Sequence, residues 1–300
     1  MNAAAPPALT ALMRRLRHVE IRIRKAVEAQ VQGTARSILK GTGLEFDDVR
    51  LYQYGDEVRA IDWAVSSKGH GTFVKTYKEE KEQQALVLLD VSASLDAGPA
   101  ARCKLDLGRD IAGLLALTAA RQNTPLGLLA FSDQKELYLP PAKGLRGAYA
   151  LVQRLFALAP RGRHTAVGAA IRQALGLLRH RSLVVLISDF LDQNYEHEVA
   201  LLARRHDLIV VQLRTPREQQ LPPLGIVPLC DPETGATRWV NTSAPGFRAR
   251  YAAGARQHEA LLAALCRRHR ASFLALGTED DFVPALVGLI RHRNRAGHRG

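Results

Sequence analysis

Ala85-Leu86-Val87-Leu88-Leu89-Asp90-Val91-Ser92-Ala93-Ser94 is the stretch that decides the fold. Its first five residues are apolar, short, and rich in Val and Leu, which suits a strand buried on both faces. Its second half places one carboxylate and two hydroxyls at alternate positions directly after that strand. Leu126 to Phe131, Leu183 to Ile187 and Leu208 to Leu213 repeat the apolar texture, and Ser272 to Leu276 is a shorter, weaker fifth candidate. Between these runs apolar residues fall at helical spacing. Val167, Ile171, Ala174, Leu175 and Leu178 make one stripe. Tyr251, Ala255, His258, Leu262 and Leu265 make another, and Leu107, Ile111, Leu114 and Leu115 follow the first strand. Buried strands alternating with amphipathic helices predict an α/β body of three layers, with five or six mainly parallel strands, helices on both faces and right-handed crossovers.

Two segments depart from the alternation. Ser132 to Lys135 is too short for a crossover, so Glu136 to Leu139 is expected to be an antiparallel edge strand ended by Pro140-Pro141. Gly225 to Asn241 reads as a hairpin, Ile226 to Cys230 and Thr237 to Asn241, around Asp231-Pro232-Glu233-Thr234-Gly235. Residues 1–82 have another texture: an arginine-rich amphipathic start near Leu9 to Gln30, then a polar-aromatic stretch from Gly41 to Glu80. The expected organisation is a distinct N-terminal segment over 1–82, the α/β body over 83–293 and a basic tail over 294–300.

Composition narrows the function classes. With 47% apolar and 24% charged residues in 300, the chain is neither disordered nor fibrous. No apolar run approaches the roughly 20 residues of a membrane span, and the first thirteen residues lack the positive charge that opens a secretory signal, so a cytoplasmic location is expected. Cys103, Cys230 and Cys266 have no ligand or disulfide spacing, and the ten histidines form no zinc motif. Net charge is +13, but residues 1–40 carry +6 of it and 286–300 carry +4, which is a pattern of basic ends rather than a basic binding face.

The chemistry concentrates at strand ends. Open α/β sheets bind ligands at the carboxyl edge, and Asp90, Ser92 and Ser94 occupy that edge. Thr165, at the start of the Val167 to Leu178 helix, and Asp189, at the end of Leu183 to Ile187, belong to the same edge. These five side chains offer hard oxygens suited to Mg²⁺ or Mn²⁺ and unsuited to thiophilic metals. Some contacts, Asp189's among them, are expected to run through water. With two carboxylates close by, the ion stays electrophilic and an acid from another protein can complete its shell. Taken one at a time, the same residues read equally as helix caps and turn formers.

The Asp90/Ser92/Ser94 loop, the Thr165 loop and the Asp189 loop together resemble the metal-ion-dependent adhesion site of von Willebrand factor A-like domains. Gly41-Thr42-Gly43-Leu44-Glu45-Phe46, Arg50-Leu51-Tyr52, Gly55-Asp56, Arg59-Ala60-Ile61-Asp62-Trp63, Lys75 to Glu80, Ile187-Ser188-Asp189-Phe190 and the Asp231 to Gly235 turn are similar to the signature of the domain of unknown function 58 family. The likeness runs from about Gly41 to Leu289. It implies an adaptor that partners a MoxR-type AAA+ ATPase or its client, in assembly or maturation of other proteins. In one place the chain departs from the pattern: Arg161-Gly162-Arg163-His164-Thr165-Ala166 lacks the usual Gly-Gly-Thr-Asp/Asn form. Arg50, Asp56, Arg59 and Asp62, interleaved with Tyr52, Tyr54 and Trp63, are expected to form a buried or half-buried polar network clamping the N-terminal segment to the body.

The expected function is therefore a non-enzymatic, divalent-cation-dependent interaction module. A metal-dependent phosphohydrolase with Asp90 as nucleophile is the first alternative, weakened because Ser92 stands where haloacid-dehalogenase-type enzymes need a second carboxylate. Binding of nucleic acid or another anionic surface through the basic ends is the second. No phosphate-binding loop of the G-x-x-x-x-G-K-[ST] type is present, so any ATP hydrolysis would come from a partner.

Overall fold

Strand β3 (Ala85–Asp90) is the axis of the molecule. Leu86 to Asp90 are each 0% exposed, as a Val/Leu run must be when strands flank both edges and helices cover both faces. The computed structural model describes residues 44–58, 61–69, 71–79, 84–96 and 103–296. Around β3, the strands β4 (Leu126–Phe131), β5 (Lys135–Ala142), β6 (Leu183–Ser188), β7 (Asp207–Arg214) and β10 (Ser272–Gly277) form a six-stranded sheet in the order β10-β7-β6-β3-β4-β5. Every neighbouring pair is parallel except β4 with β5. Two antiparallel ribbons form sheets of their own: β1 (Leu44–Leu51) with β2 (Phe73–Glu79), and β8 (Ile226–Cys230) with β9 (Thr237–Asn241).

The two-residue period of a strand sorts the core into two layers. Val87 and Leu89 face α3 (Lys104–Arg121) and α4 (Gly144–Phe156) through Leu107, Ile111, Leu151 and Leu155, with Phe282, Val283 and Leu286 of α9 (Phe282–Ala296) in the same cluster. Leu86 and Leu88 face α5 (Val167–Leu177), α6 (Glu196–Arg205) and α8 (Pro245–Arg268) through Ile171, Val199, Leu202, Leu262 and Cys266. Each such Leu contributes about 1.5–3 kcal/mol on burial, so the alternation along β3 fixes which helices lie on which side. The described residues also include three one-turn helices: α1 (Trp63–Ser66), α2 (Ala93–Asp96) and α7 (Pro216–Gln219).

Three details differ from the sequence reading. Strand β5 does not stop at Pro140-Pro141 but runs through both to Ala142, which pairs with Leu126. An outermost strand has an edge that needs no donors, and the register shift between Leu126 and Leu128 takes up the irregularity. Gly127 sits in that shift, where a Cβ would come within 2.9 Å of the Leu139 carbonyl oxygen. Second, of the Tyr251 to Leu265 stripe only Leu262 is buried. At 24 residues, α8 is about 36 Å long, whereas the six residues of β10 cover about 20 Å, so half the helix overhangs the sheet.

Third, the polar network of the N-terminal ribbon lies at the surface. Arg50 donates to both carboxylate oxygens of Asp56, at 2.7 and 2.6 Å, in an exposed position. Asp62 accepts from the backbone N–H groups of Ala64 and Val65 and caps α1, while Tyr52, Tyr54 and Trp63 are exposed. These contacts shape a local turn. The arginine-rich start near residues 9–30, Gly41 to Gly43, Arg59-Ala60 and the tail from residue 297 lie outside the described residues, and among those described no helix is long and apolar enough to cross a membrane.

Candidate cation site at the carboxyl edge of the sheet

Chain order makes β3 a switch point. The next strand, β4, lies on one side of it, and β6 lies on the other, which opens a crevice at the carboxyl ends where such folds bind ligands. Asp90 closes β3 and is fully buried. Its Oδ1 accepts from the Ser92 N–H at 2.9 Å, which turns the chain sharply into α2. Its Oδ2 accepts from the Ser188 hydroxyl at 2.6 Å, across the crevice from the end of β6. The turn brings Ser92 Oγ to 3.1 Å from Ser94 Oγ. Thr165 Oγ1 reaches in from the loop before α5 to 2.8 Å from Ser92 Oγ.

Thr165 is free for this role because α5 is capped by another residue. The N-cap position is Ala166, which makes no side-chain cap bond, and the Val167 N–H donates instead to Asp192 Oδ2 at 2.8 Å. The structure thus brings Asp90, Ser92, Ser94 and Thr165 into one hydrogen-bonded group. Asp189 is adjacent but engaged elsewhere: its Oδ2 accepts from Lys104 Nζ at 2.7 Å and its Oδ1 from the Leu191 N–H at 3.2 Å. Lys104 is 1% exposed and donates also to Glu218 Oε1 at 2.5 Å. Burial pulls the Lys104 ammonium down, but the charges of Asp189 and Glu218 outweigh it and hold it above its ordinary value.

The Asp90 carboxyl reports the electrostatics of the crevice. Burial, then the negative charge of Asp189, pushes its carboxyl up to about 7, although hydrogen bonds from Ser188 and Ser92 pull the other way. A buried carboxyl raised in this way sits where added positive charge is favourable. The hydroxyl spacings of 2.8 and 3.1 Å also lie close to the edge of a Mg²⁺ octahedron, which at 2.0–2.1 Å per ligand is about 2.9 Å. An ion could thus take the place of these hydroxyl–hydroxyl hydrogen bonds with little movement of the oxygens. Among the described residues no group of three or more His, Cys, Asp or Glu side chains is gathered for a metal, so the candidate donors here are mainly hydroxyls. Ser92, Ser94 and Thr165 fit that donor set, backed by Asp90.

The loop after β6 is under local tension. Phe190 is fully buried yet has φ 58°, a conformation costly for a bulky side chain, on the order of 1–3 kcal/mol. Its N–H donates to Ser188 Oγ at 3.0 Å and its ring packs 5.6 Å from that of Tyr195. That bond and the buried ring hold the strained residue in place, next to Ser188 and Asp189.

A further carboxylate enters from the β8–β9 hairpin. Asp231 folds the turn by accepting from the Glu233 N–H at 2.9 Å and the Thr234 hydroxyl at 2.6 Å, and these bonds hold its carboxyl below the usual range. Glu233 then points into the site: Thr165 Oγ1 donates to its Oε1 at 2.6 Å and the Thr165 N–H to its Oε2 at 3.1 Å. The unusual loop before Thr165 holds the hairpin in place. Arg163 Nη2 donates to the Pro232 carbonyl at 3.0 Å, and His164 Nδ1 lies 3.7 Å from Glu233 Oε2.

The family model described as protein of unknown function DUF58 matches residues 48–261. The chain belongs to the DUF58 family. Similar proteins include the uncharacterized proteins Mb1516 of Mycobacterium bovis and Rv1480 of Mycobacterium tuberculosis, each 29% identical over 290 residues, 95% of this chain and 91% of theirs. An uncharacterized protein of Paracoccus denitrificans, described as lying in the moxR 3′ region, is 41% identical over 96 residues, 31% of this chain and 90% of its own. Among solved structures, BatB from Bacteroides thetaiotaomicron aligns over 71% of this chain and 99% of its own at TM-score 0.46 and 13% identity. The SpRpn10 VWA domain aligns over 68% and 93% at TM-score 0.39 and 11% identity.

Sequence reasoning missed Ser188, Lys104, Glu218, Asp192 and Glu233. Lys104 carried a signal, since a cation in the first turn of a helix opposes the macrodipole and needs acids nearby. Ser188 and Glu233 were within quoted motifs but were read as a strand end and a turn.

Proposed function

We propose that this DUF58 protein is a divalent-cation-dependent interaction module, non-enzymatic, that works with a MoxR-type AAA+ ATPase or its client in assembly or maturation of other proteins. The observation that carries the reading is the convergence of Ser92, Ser94 and Thr165 hydroxyls at ion-like spacing over the buried Asp90. When bound, Mg²⁺ or Mn²⁺ would supply positive charge that an acidic side chain of a partner can engage. Ser92, Ser94 and Thr165 would hold the ion, Asp90 would orient the serines and balance its charge, and Asp189, neutralised on one side by Lys104, would act through water. The moxR-region relative in Paracoccus denitrificans supports the choice of partner.

The binding role is favoured over a phosphohydrolase because Asp90, the candidate nucleophile, is fully buried with both oxygens accepting hydrogen bonds. The test is Mn²⁺ titration followed by electron paramagnetic resonance, beside binding of a purified MoxR-type ATPase with and without chelator. Wild type should bind both, Ser92→Ala should lose the ion, and chelator should release the ATPase. Chelator-insensitive association, or Mg²⁺-dependent phosphoester turnover abolished by Asp90→Asn, would reject the reading.

A further inference from the structure

We propose that Glu233 is a resident ligand of the cation site, a carboxylate supplied in cis that occupies the position a partner's acid must take. The inference rests on the cation-site reading above and adds the identity of the group that closes the site.

Four observations carry it. Glu233 Oε1 is 2.6 Å from Thr165 Oγ1, itself 2.8 Å from Ser92 Oγ, so its oxygen continues the row of hydroxyls at a spacing slightly closer than that of adjacent ligands on one ion. The carboxylate is aimed by construction, because Asp231 fixes the turn through the Glu233 N–H and the Thr234 hydroxyl. The loop that carries Thr165 reaches back to the same turn through Arg163 and the Pro232 carbonyl. Finally, no apolar side chain of the two hairpin strands is fully buried: Ile226 and Trp239 are each 68% exposed, and Val227, Leu229 and Val240 are half-buried. A ribbon whose apolar face is only half-buried, and whose tip is docked by polar contacts, can swing away at modest cost once a competing acid arrives. Lipid-like or purely apolar partners do not meet that requirement; an acidic segment does.

The hairpin therefore acts as a plug. It shields the ion from stray anions and sets a threshold, since a partner must offer a carboxylate and outcompete one already tethered at high effective concentration.

The test uses the full-length protein, Mn²⁺ as the metal probe and acetate as the carboxylate probe, in wild type, Glu233→Ala and Glu233→Gln. Glu233→Ala should weaken Mn²⁺ binding at least about tenfold, the lower bound for losing even an outer partner of a metal site. Acetate should restore much of that loss in Glu233→Ala, where it has room, and do nothing for wild type or for Glu233→Gln, where the position stays filled. Equal Mn²⁺ affinity in wild type and Glu233→Ala overturns the proposal, and so does weakening without acetate rescue, which would mark a merely structural role. If wild type itself takes up no Mn²⁺, the cation-site reading falls and this inference falls with it; loss of the ion in Ser92→Ala but not in Glu233→Ala leaves the reading standing and removes only the inference.

Discussion

Replacing Lys104 by Met isolates the energetics behind the site. The ammonium is 1% exposed and sits between Asp189, 2% exposed, and Glu218, whose side chain is 34% exposed. Met preserves most of the volume, so the change is electrostatic. Glu218 can turn to water, whereas Asp189 would be left as a buried carboxylate holding one backbone N–H bond. Breaking a buried pair from one side costs about 3–5 kcal/mol, which for a body of this size is a fall in Tm of roughly 6–20 °C. Adding Asp189→Asn removes the stranded charge and should recover a large part of the loss, giving a coupling of about 2 kcal/mol or more in a double-mutant cycle. Urea unfolding followed by circular dichroism measures all four corners. A single-variant loss under about 1 kcal/mol, or additive effects, would refute the view that Lys104 is the counter-charge Asp189 depends on.

His206 gives a pH signature. It is buried, accepts from the Ser182 N–H through Nδ1, and burial with nearby Arg205 and Arg181 lowers its pKa. The unfolded chain therefore takes its proton first as pH falls, so stability should drop from about pH 6.5 downward and that part of the slope should vanish in His206→Gln, as read from urea midpoints across pH. Gly162→Ala should displace the Thr165 loop, because a Cβ there collides with Asp133 Oδ1 and Ser132 Oγ; Mn²⁺ titration should show weaker binding, with a stability loss of about 1–3 kcal/mol. Asp192→Ala should cost about 1 kcal/mol by uncapping α5, seen in thermal melts, with retained Mn²⁺ binding if Thr165 has no capping role.

Much of the architecture was legible because it rests on local periodicity. The Leu86/Leu88 and Val87/Leu89 alternation and the Val167 to Leu178 stripe follow from burial alone, and the hairpin ends matched because Asp231, Pro232 and Gly235 punctuate the chain. The meeting of four candidate residues was legible from position: Asp90, Ser92 and Ser94 follow a strand end, and Thr165 stands just before a helix that packs on the same sheet. Asp189 was placed at the right edge but not with its neighbour, since a buried ammonium arriving from α3 depends on how that helix meets the sheet. Glu233 was hidden because its role depends on where a hairpin tip lands. The surface setting of Arg50 and Asp56 was misjudged because paired charges look alike in sequence whether covered or not.

The acceptor atoms at the crevice come from far apart in the chain: Asp90 and its donor Ser188 are separated by 98 positions, and Thr165 and Glu233 by 68. During synthesis at 5–20 residues per second, roughly 7 to 29 seconds pass between the appearance of the first carboxylate and that of the last. A polypeptide that stops short of Glu233 cannot present the assembled oxygens, so the crevice is completed only late in synthesis.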